Sequence, residues 1–326
     1  MLVCSRPRFA ENNYGISLLD LPDSILECIL KCLSPREVCK LATLCTFLRD
    51  ICRSESLWEK LMKQKWGNVI GNVAYKEWQK FIALKNIAKL MGKCNPFESF
   101  GSLHDDWPIL TINGSSSSTS WPWSASLPDD SLMALCIALE TGRFWFPAQI
   151  YHKENTGLLL YWYDGLLSYD FQTDTFRARY PHDGWKTTLR NITWDRVRAA
   201  VVDNSPYVIH ISDCLNDLKP GNHIEIQWRW SQRDPYDWWY AVIGHLESCE
   251  DSKNHCHCCY RDELIVEFNQ YPLNSRWRRA MLNRKEYKEQ GNPQEGFYGG
   301  IRKLQNQEIA MRKTLSSHAD GLSHGE

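Results

Sequence analysis

From residue 18 to about residue 90 the apolar positions recur at spacings of three and four, a period near 3.6 that predicts successive helices and almost no strand. In LLDLPDSILECILKCLSP, residues 18–35, Ile25, Leu26, Ile29, Leu30 and Leu33 form one stripe on a helical wheel. Cys28 and Cys32 widen that stripe to roughly 200°, about twice what a surface helix needs to face its own core. Pro22 falls in the first turn, where its missing N–H would have had no partner anyway. A second helix opens at SPRE, with Ser34 as N-cap, Pro35 at the first position and Glu37 placed to close a capping box. Along it Val38, Cys39, Leu41, Ala42, Leu44, Cys45, Phe47 and Leu48 cover nearly the whole circumference. A third, SLWEKLMKQKW, carries Leu57, Trp58, Leu61, Met62 and Trp66 on an amphipathic spacing. Three helices of about 45 residues in all bury too little of their own apolar surface to stand well alone. Periodicity leaves two readings open: the surplus packs against the rest of this chain, or against another protein.

The pattern then changes. Residues 92–128 dissolve into Pro, Gly and a serine run, GSSSSTS, which reads as a linker. A short helical stretch, DDSLMALCIALETG, ends at Gly142, and β-rich runs follow: RFWFPAQIYH, LLLYWYDGLLSYDF, DTFRARY, HIEIQWRW, WWYAVIGHL and ELIVEFNQY. HIEIQWRW alternates strictly, so Ile224, Ile226, Trp228 and Trp230 share one face, predicted inward. His223, Glu225, Gln227 and Arg229 share the other, predicted to face water. WWYAVIGHL carries bulk on both faces, as a strand covered on both sides would, or one that meets a ligand. The predicted class is α+β: a leader (1–17), a three-helix module (18–66), a helical extension (67–91), the linker, a mainly antiparallel Trp-rich β domain (129–304) and a flexible tail (305–326).

Composition adds limits. With 38 basic and 39 acidic side chains no overall field favours nucleic acid or an anionic membrane, so partners must be chosen by local surfaces. The start, MLVCSRPRFAENNYG, lacks an apolar core of signal-peptide length, and no run reaches membrane-spanning length. The thirteen cysteines are therefore expected to be reduced, in an intracellular setting, nucleus or cytoplasm. The run CEDSKNHCHCCY raises the question of a metal through Cys249, His255, Cys256, His257, Cys258 and Cys259. Cys256 and Cys258 stand too close for the C-x2-C pairs zinc prefers and no second pair exists, so the expectation is a polar hairpin loop with reduced thiols, no metal and no cofactor. In SRWRRAMLNRKEYK, Glu286 and Glu289 dilute a basic cluster that reads as a solvated surface. The hydrolase, P-loop and metalloprotease signatures are all absent, and no catalytic residue is expected.

The order of features in the helical segment is more specific than its composition. Leu21-Pro22, then Ile25, Leu26, Ile29 and Leu33, then Ser34-Pro35, Val38, Cys39, Ala42, Cys45 and Leu48, then Leu57-Trp58 fall in the register of the F-box. The segment resembles that helical docking module, which binds the Skp adaptor of cullin-RING ubiquitin ligases. The longer arrangement, an early F-box followed by a Trp-rich β region, resembles one group of plant F-box proteins. The resemblance implies a non-catalytic subunit that docks on Skp, and through it on cullin, and presents an unknown protein substrate. It assigns adaptor contacts to Leu21, Pro22, Ile25, Leu26, Ile29, Leu30, Leu33, Pro35, Val38, Cys39, Cys45, Leu57 and Trp58. The β domain would then select the substrate, with Trp228, Trp230, Trp238, Trp239 and Tyr240 as candidate contacts. The strand order from Gly221 to Phe268 also resembles small barrels of the Tudor or Agenet kind, which leaves a stand-alone reader of modified peptides as the alternative, its rings binding a cation.

Overall fold

A computed structural model describes residues 18–90, 130–153, 160–180, 187–203, 205–246, 249, 256–289 and 297–312. The expected leader and linker lie outside the described residues. The chain divides into two compact units, residues 1–65 and 66–326.

In the first unit a 3-10 turn at Leu18–Asp20 leads into α1 (Asp23–Leu30), α2 (Pro35–Leu41), α3 (Thr46–Cys52) and α4 (Glu55–Trp66). Pro22 takes the cap position itself, at φ −56° and ψ 145°, and its carbonyl accepts from the Ile25 and Leu26 N–H groups at 2.9 and 3.1 Å. The capping box forms as spaced: Glu37 N–H donates to Ser34 Oγ at 3.4 Å and Ser34 N–H donates to Glu37 Oε2 at 2.8 Å. Four helices stand where three were expected, because the second breaks at Cys45. That residue is extended (φ −156°, ψ 166°) and its sulfur accepts from Leu48 N–H, so it caps α3 instead of continuing α2. The apolar spacing hides the break, since Val38 and Cys39 before it and Leu48 and Cys52 after it are all buried. Trp58 is fully buried, and its indole N–H donates to the Cys52 carbonyl at 2.7 Å, so its polar handle does not oppose its burial.

Among its described residues the second unit holds α5 (Asn72–Leu90), α6 (Leu132–Glu140) and ten antiparallel strands. These are β1 (Phe146–Lys153), β2 (Leu160–Asp170), β3 (Thr175–Tyr180), β4 (Thr187–Ile192), β5 (Val197–Ala199), β6 (His223–Arg229), β7 (Asp237–Gly244), β8 (Glu263–Glu267), β9 (Arg279–Asn283) and β10 (Phe297–Lys303). The main ladder runs β10-β6-β7-β2-β1-β5; β3 and β4 extend from β2, and β8 and β9 from β7. β2 joins the two halves, pairing with β7 through Tyr161–Tyr163 and with β3 through Leu166–Asp170. Helices followed by an antiparallel sheet make the α+β class that the spacing predicts.

Three boundaries differ from expectation. Trp66 ends α4 but is buried in the second unit, with the rings of Phe146, Tyr169, Phe176 and Trp194 at 6.1, 5.4, 6.1 and 5.2 Å. The helical extension also belongs to this unit: Ala199 N–H of β5 donates to the Asn68 carbonyl at 2.9 Å, and Trp78 of α5 meets Phe144 at 5.2 Å. The expected tail begins with a helical segment, residues 306–312, in which Glu308 accepts from Arg302 at 2.7 Å and Arg312 is buried. Gly142 closes α6 at φ +64°, and a Cβ there would lie 2.3 Å from the Tyr169 carbonyl oxygen, so only glycine fits.

Candidate functional site

The wide stripe on α1 resolves into two faces. Leu26 and Leu30 are buried, while Ile25 is 46% and Ile29 38% exposed, and Pro22, Cys28 and Cys32 are exposed beside them. Ile25, Cys28 and Ile29 stand at i, i+3 and i+4, which makes them neighbours on one face of α1, and Cys32 follows in the turn after it. Large aliphatic side chains grouped on a helix surface are the usual mark of a face that a partner covers. Of the other residues assigned to adaptor contact, Leu21, Leu33 and Cys45 are half-buried. Pro35, Val38, Cys39, Leu57 and Trp58 are buried and leave no surface for a partner to touch. Sequence reasoning had left out Leu44, which is 68% exposed in the turn between α2 and α3; it counted as part of a continuous helix that the fold breaks.

The candidate substrate rings divide as well. Trp238 and Trp239 are buried in the sheet unit and are core, not surface. Trp239 stacks on Tyr161 at 5.2 Å and takes the edge of Trp228 at 5.3 Å. Tyr240 is half-buried, with the chain's own Arg312 guanidinium 4.9 Å from its ring centre, so a cation already lies over the face expected to receive one. Only Trp230, 73% exposed, and the half-buried Trp228, 4.5 Å away in a T-shaped pair, remain near solvent.

The polar face of β6 is the larger correction. Glu225 and Gln227, predicted to face water, are 0% and 1% exposed. The sheet curls until Arg198 on the edge strand β5 reaches β6, donating to Glu225 at 3.0 and 2.8 Å, while Arg302 from β10 donates to the same carboxylate at 3.0 and 2.7 Å. Burial pushes Glu225 up, but the two guanidiniums overcome it and hold the carboxyl at about 2. The chain of bonds continues: Arg198 donates to Gln149 at 2.8 Å and Gln149 to Asp164 at 2.9 Å, where burial raises the carboxyl to about 6. Asp237, buried near Asp164 and Asp234, is raised well above the carboxylate range. Gln227 accepts from His210 N–H at 2.8 Å and Gly300 N–H at 3.1 Å. The bonds that converge on Glu225 and Gln227 fix the positions of β5, β6 and β10, whereas Asp237 Oδ1 is buried without a hydrogen-bond partner.

In the β7–β8 connection the structure gathers His245, Cys249, Cys256 and Cys258, with all four potential ligand atoms within 4.8 Å of one another. His245 was missed because it stands at the end of WWYAVIGHL, outside the Cys/His-rich run; the H-x3-C spacing was its only signal. His257, inside the run, is exposed and not among the four, and His255 lies outside the described residues.

Residues 18–64 match the F-box-like family model. Over 316 residues the chain is 45% identical to F-box protein At2g26850 of Arabidopsis thaliana, a span covering 92% of this chain and 82% of that one. It is 40% identical over 314 residues to F-box protein At2g41170 of the same plant, covering 94% and 84%. The similarity therefore runs through the sheet unit as well as the helices, and the chain belongs to the F-box proteins.

Proposed function

We propose that this chain is a non-catalytic substrate-recognition subunit of a Skp-cullin-F-box ubiquitin ligase, docking on the Skp adaptor through its first unit and presenting a protein through its sheet unit. The observation that carries this reading is the exposed apolar face of α1 inside the segment that matches the F-box-like model. Pro22, Ile25 and Ile29 supply direct contacts, bordered by Leu21, Leu33 and Cys45. Leu26, Leu30, Pro35, Val38, Cys39, Leu57 and Trp58 act from beneath, by holding the backbone that displays them. An interface of ordinary size buries about 800 Å² on each partner, more than one helix face provides, so neighbouring exposed side chains such as Leu44 join it. The subunit's contribution to the reaction is proximity: a substrate held beside a charged ubiquitin carrier meets it at high effective concentration.

Affinity of the purified full chain for Skp adaptor tests the reading. Ile25→Asp with Ile29→Asp places two carboxylates where the partner would desolvate them, and is expected to weaken binding by about 100-fold or more. Leu21→Ala with Pro22→Ala is expected to abolish co-purification with the adaptor while tryptophan fluorescence still reports a folded sheet. Undiminished binding by both variants would overturn the assignment.

A further inference from the structure

We propose that His245, Cys249, Cys256 and Cys258 form a structural zinc site that ties the end of β7 to the start of β8. The inference rests on the sheet unit and is independent of the docking role. The spacing between the four groups is what a shared tetrahedral ion would impose. With Zn–S near 2.3 Å and Zn–N near 2.05 Å, a tetrahedron places two sulfurs about 3.8 Å apart and a sulfur and a nitrogen about 3.5 Å apart. Cys249 and Cys256 sulfurs stand 3.7 Å apart, and His245 Nδ1 lies 3.6, 3.4 and 3.9 Å from the sulfurs of Cys249, Cys256 and Cys258. The imidazole is equidistant from three thiols to within half an ångström, a position that sequence neighbours would not reach by chance turn geometry.

The donors choose the ion. Three thiols and one imidazole suit zinc, whereas calcium and magnesium take oxygen ligands and no carboxylate belongs to the set. Four protein ligands close the coordination sphere, which marks a structural site and not one that keeps a position open for water or substrate. The short Cys256-x-Cys258 spacing, which argued against zinc within the run, works because the chain turns into a 3-10 helix at Cys258–Tyr260 and the remaining ligands come from upstream.

The placement gives the ion a task. His245 directly follows Gly244, the β7 residue paired with Ile265 of β8, and Cys258 precedes β8 by one short turn. A bound ion therefore cross-links both ends of the connection and holds β8, and through it β9, against the main ladder.

The full chain, purified without a polyhistidine tag or chelator, would be analysed for metal by mass spectrometry. One equivalent of zinc is expected, falling to about a tenth or less in Cys249→Ser and Cys258→Ser, and unchanged in His257→Ala and in Cys214→Ser, a buried cysteine elsewhere. Because ligand variants may misfold, the unaltered chain is also exchanged into cobalt. The expected spectrum has the intense visible bands of a tetrahedral ion and the near-ultraviolet charge-transfer band of thiolate ligation. Full zinc in the Cys249→Ser, Cys258→Ser double variant would overturn the proposal. So would a folded, metal-free chain whose cobalt spectrum is octahedral, a stoichiometric iron or copper content, or a mass two hydrogens low from a Cys249–Cys256 disulfide.

Discussion

Helix α1 and strand β6 break the same rule in opposite directions. On α1 the sequence offers more apolar surface than the unit buries, and Ile25 and Ile29 stay in solvent. On β6 it offers a polar face, and the fold buries Glu225 and Gln227 completely. Period identified the type of element in both cases. It did not say which face would be covered, because cover is supplied by distant chain: Arg198 and Arg302 come to Glu225 from β5 and β10. An apolar residue left outside points to a partner beyond the chain, and a charged residue taken inside points to a partner within it.

The largest expected break in this comparison is Glu225→Gln. It leaves the buried Arg198 guanidinium without its counter-charge and Arg302 with Glu308 alone, and is expected to cost about 3–5 kcal/mol, read as a fall in the urea midpoint followed by tryptophan fluorescence. Next comes the adjacent pair on α1. Leu26→Ala, at a position 1% exposed, is expected to destabilise by about 2–4 kcal/mol. Ile25→Ala is expected to change stability by no more than about 0.5 kcal/mol while weakening adaptor binding, so thermal melts and pull-downs should rank the two variants oppositely.

A smaller effect depends on pH. Burial raises Asp164 from 3.8 to about 6 in the folded chain, so folding takes up a proton between those values and stability declines as pH rises through that window. Asp164→Asn is expected to remove that decline, roughly 3 kcal/mol, visible in denaturation midpoints between about pH 4 and about pH 7. Glu225 acts the other way: its stabilisation is full above its ordinary value of 4.5 and is lost as pH falls toward about 2. The two carboxyls of one network therefore oppose each other across the acid range. The smallest effect on stability belongs to Trp230→Ala, within about 0.5 kcal/mol, because the ring stands in solvent. Its readout is partner capture, which should drop while adaptor binding stays.

Local chemistry was legible in the sequence. The Ser34, Pro35, Glu37 cap and the glycine stop at Gly142 are decided by neighbours within a few residues, and each formed where the spacing put it. The exposed half of α1 was legible as a surplus, though not which residues composed it. What stayed hidden was non-local. Cys45 looked like one more apolar position until its backbone turned extended to cap α3. Trp66 followed the helical period of α4 yet belongs to the aromatic core of the sheet unit. Trp238 and Trp239 stood as candidate contacts although rings in such a strand are more often core, and both are buried on β7, between β2 and β6 in the sheet. His245 joined the thiols only because β7 ends beside the turn that carries Cys258.

The clamp on Glu225 also sets an order of events during synthesis. The helices of the first unit depend on contacts close in sequence and can form as soon as they leave the ribosome. The sheet cannot close so early, because β6 pairs with β10 and Arg302 is made 77 residues after the carboxylate it neutralises. Any message cut short before Phe297 would yield a polypeptide whose helical unit is finished while β6 keeps an open edge and Glu225 lacks Arg302. Such a fragment would carry a strand edge prone to aggregation. The position of a single arginine thus makes synthesis through β10 a condition for a closed sheet unit.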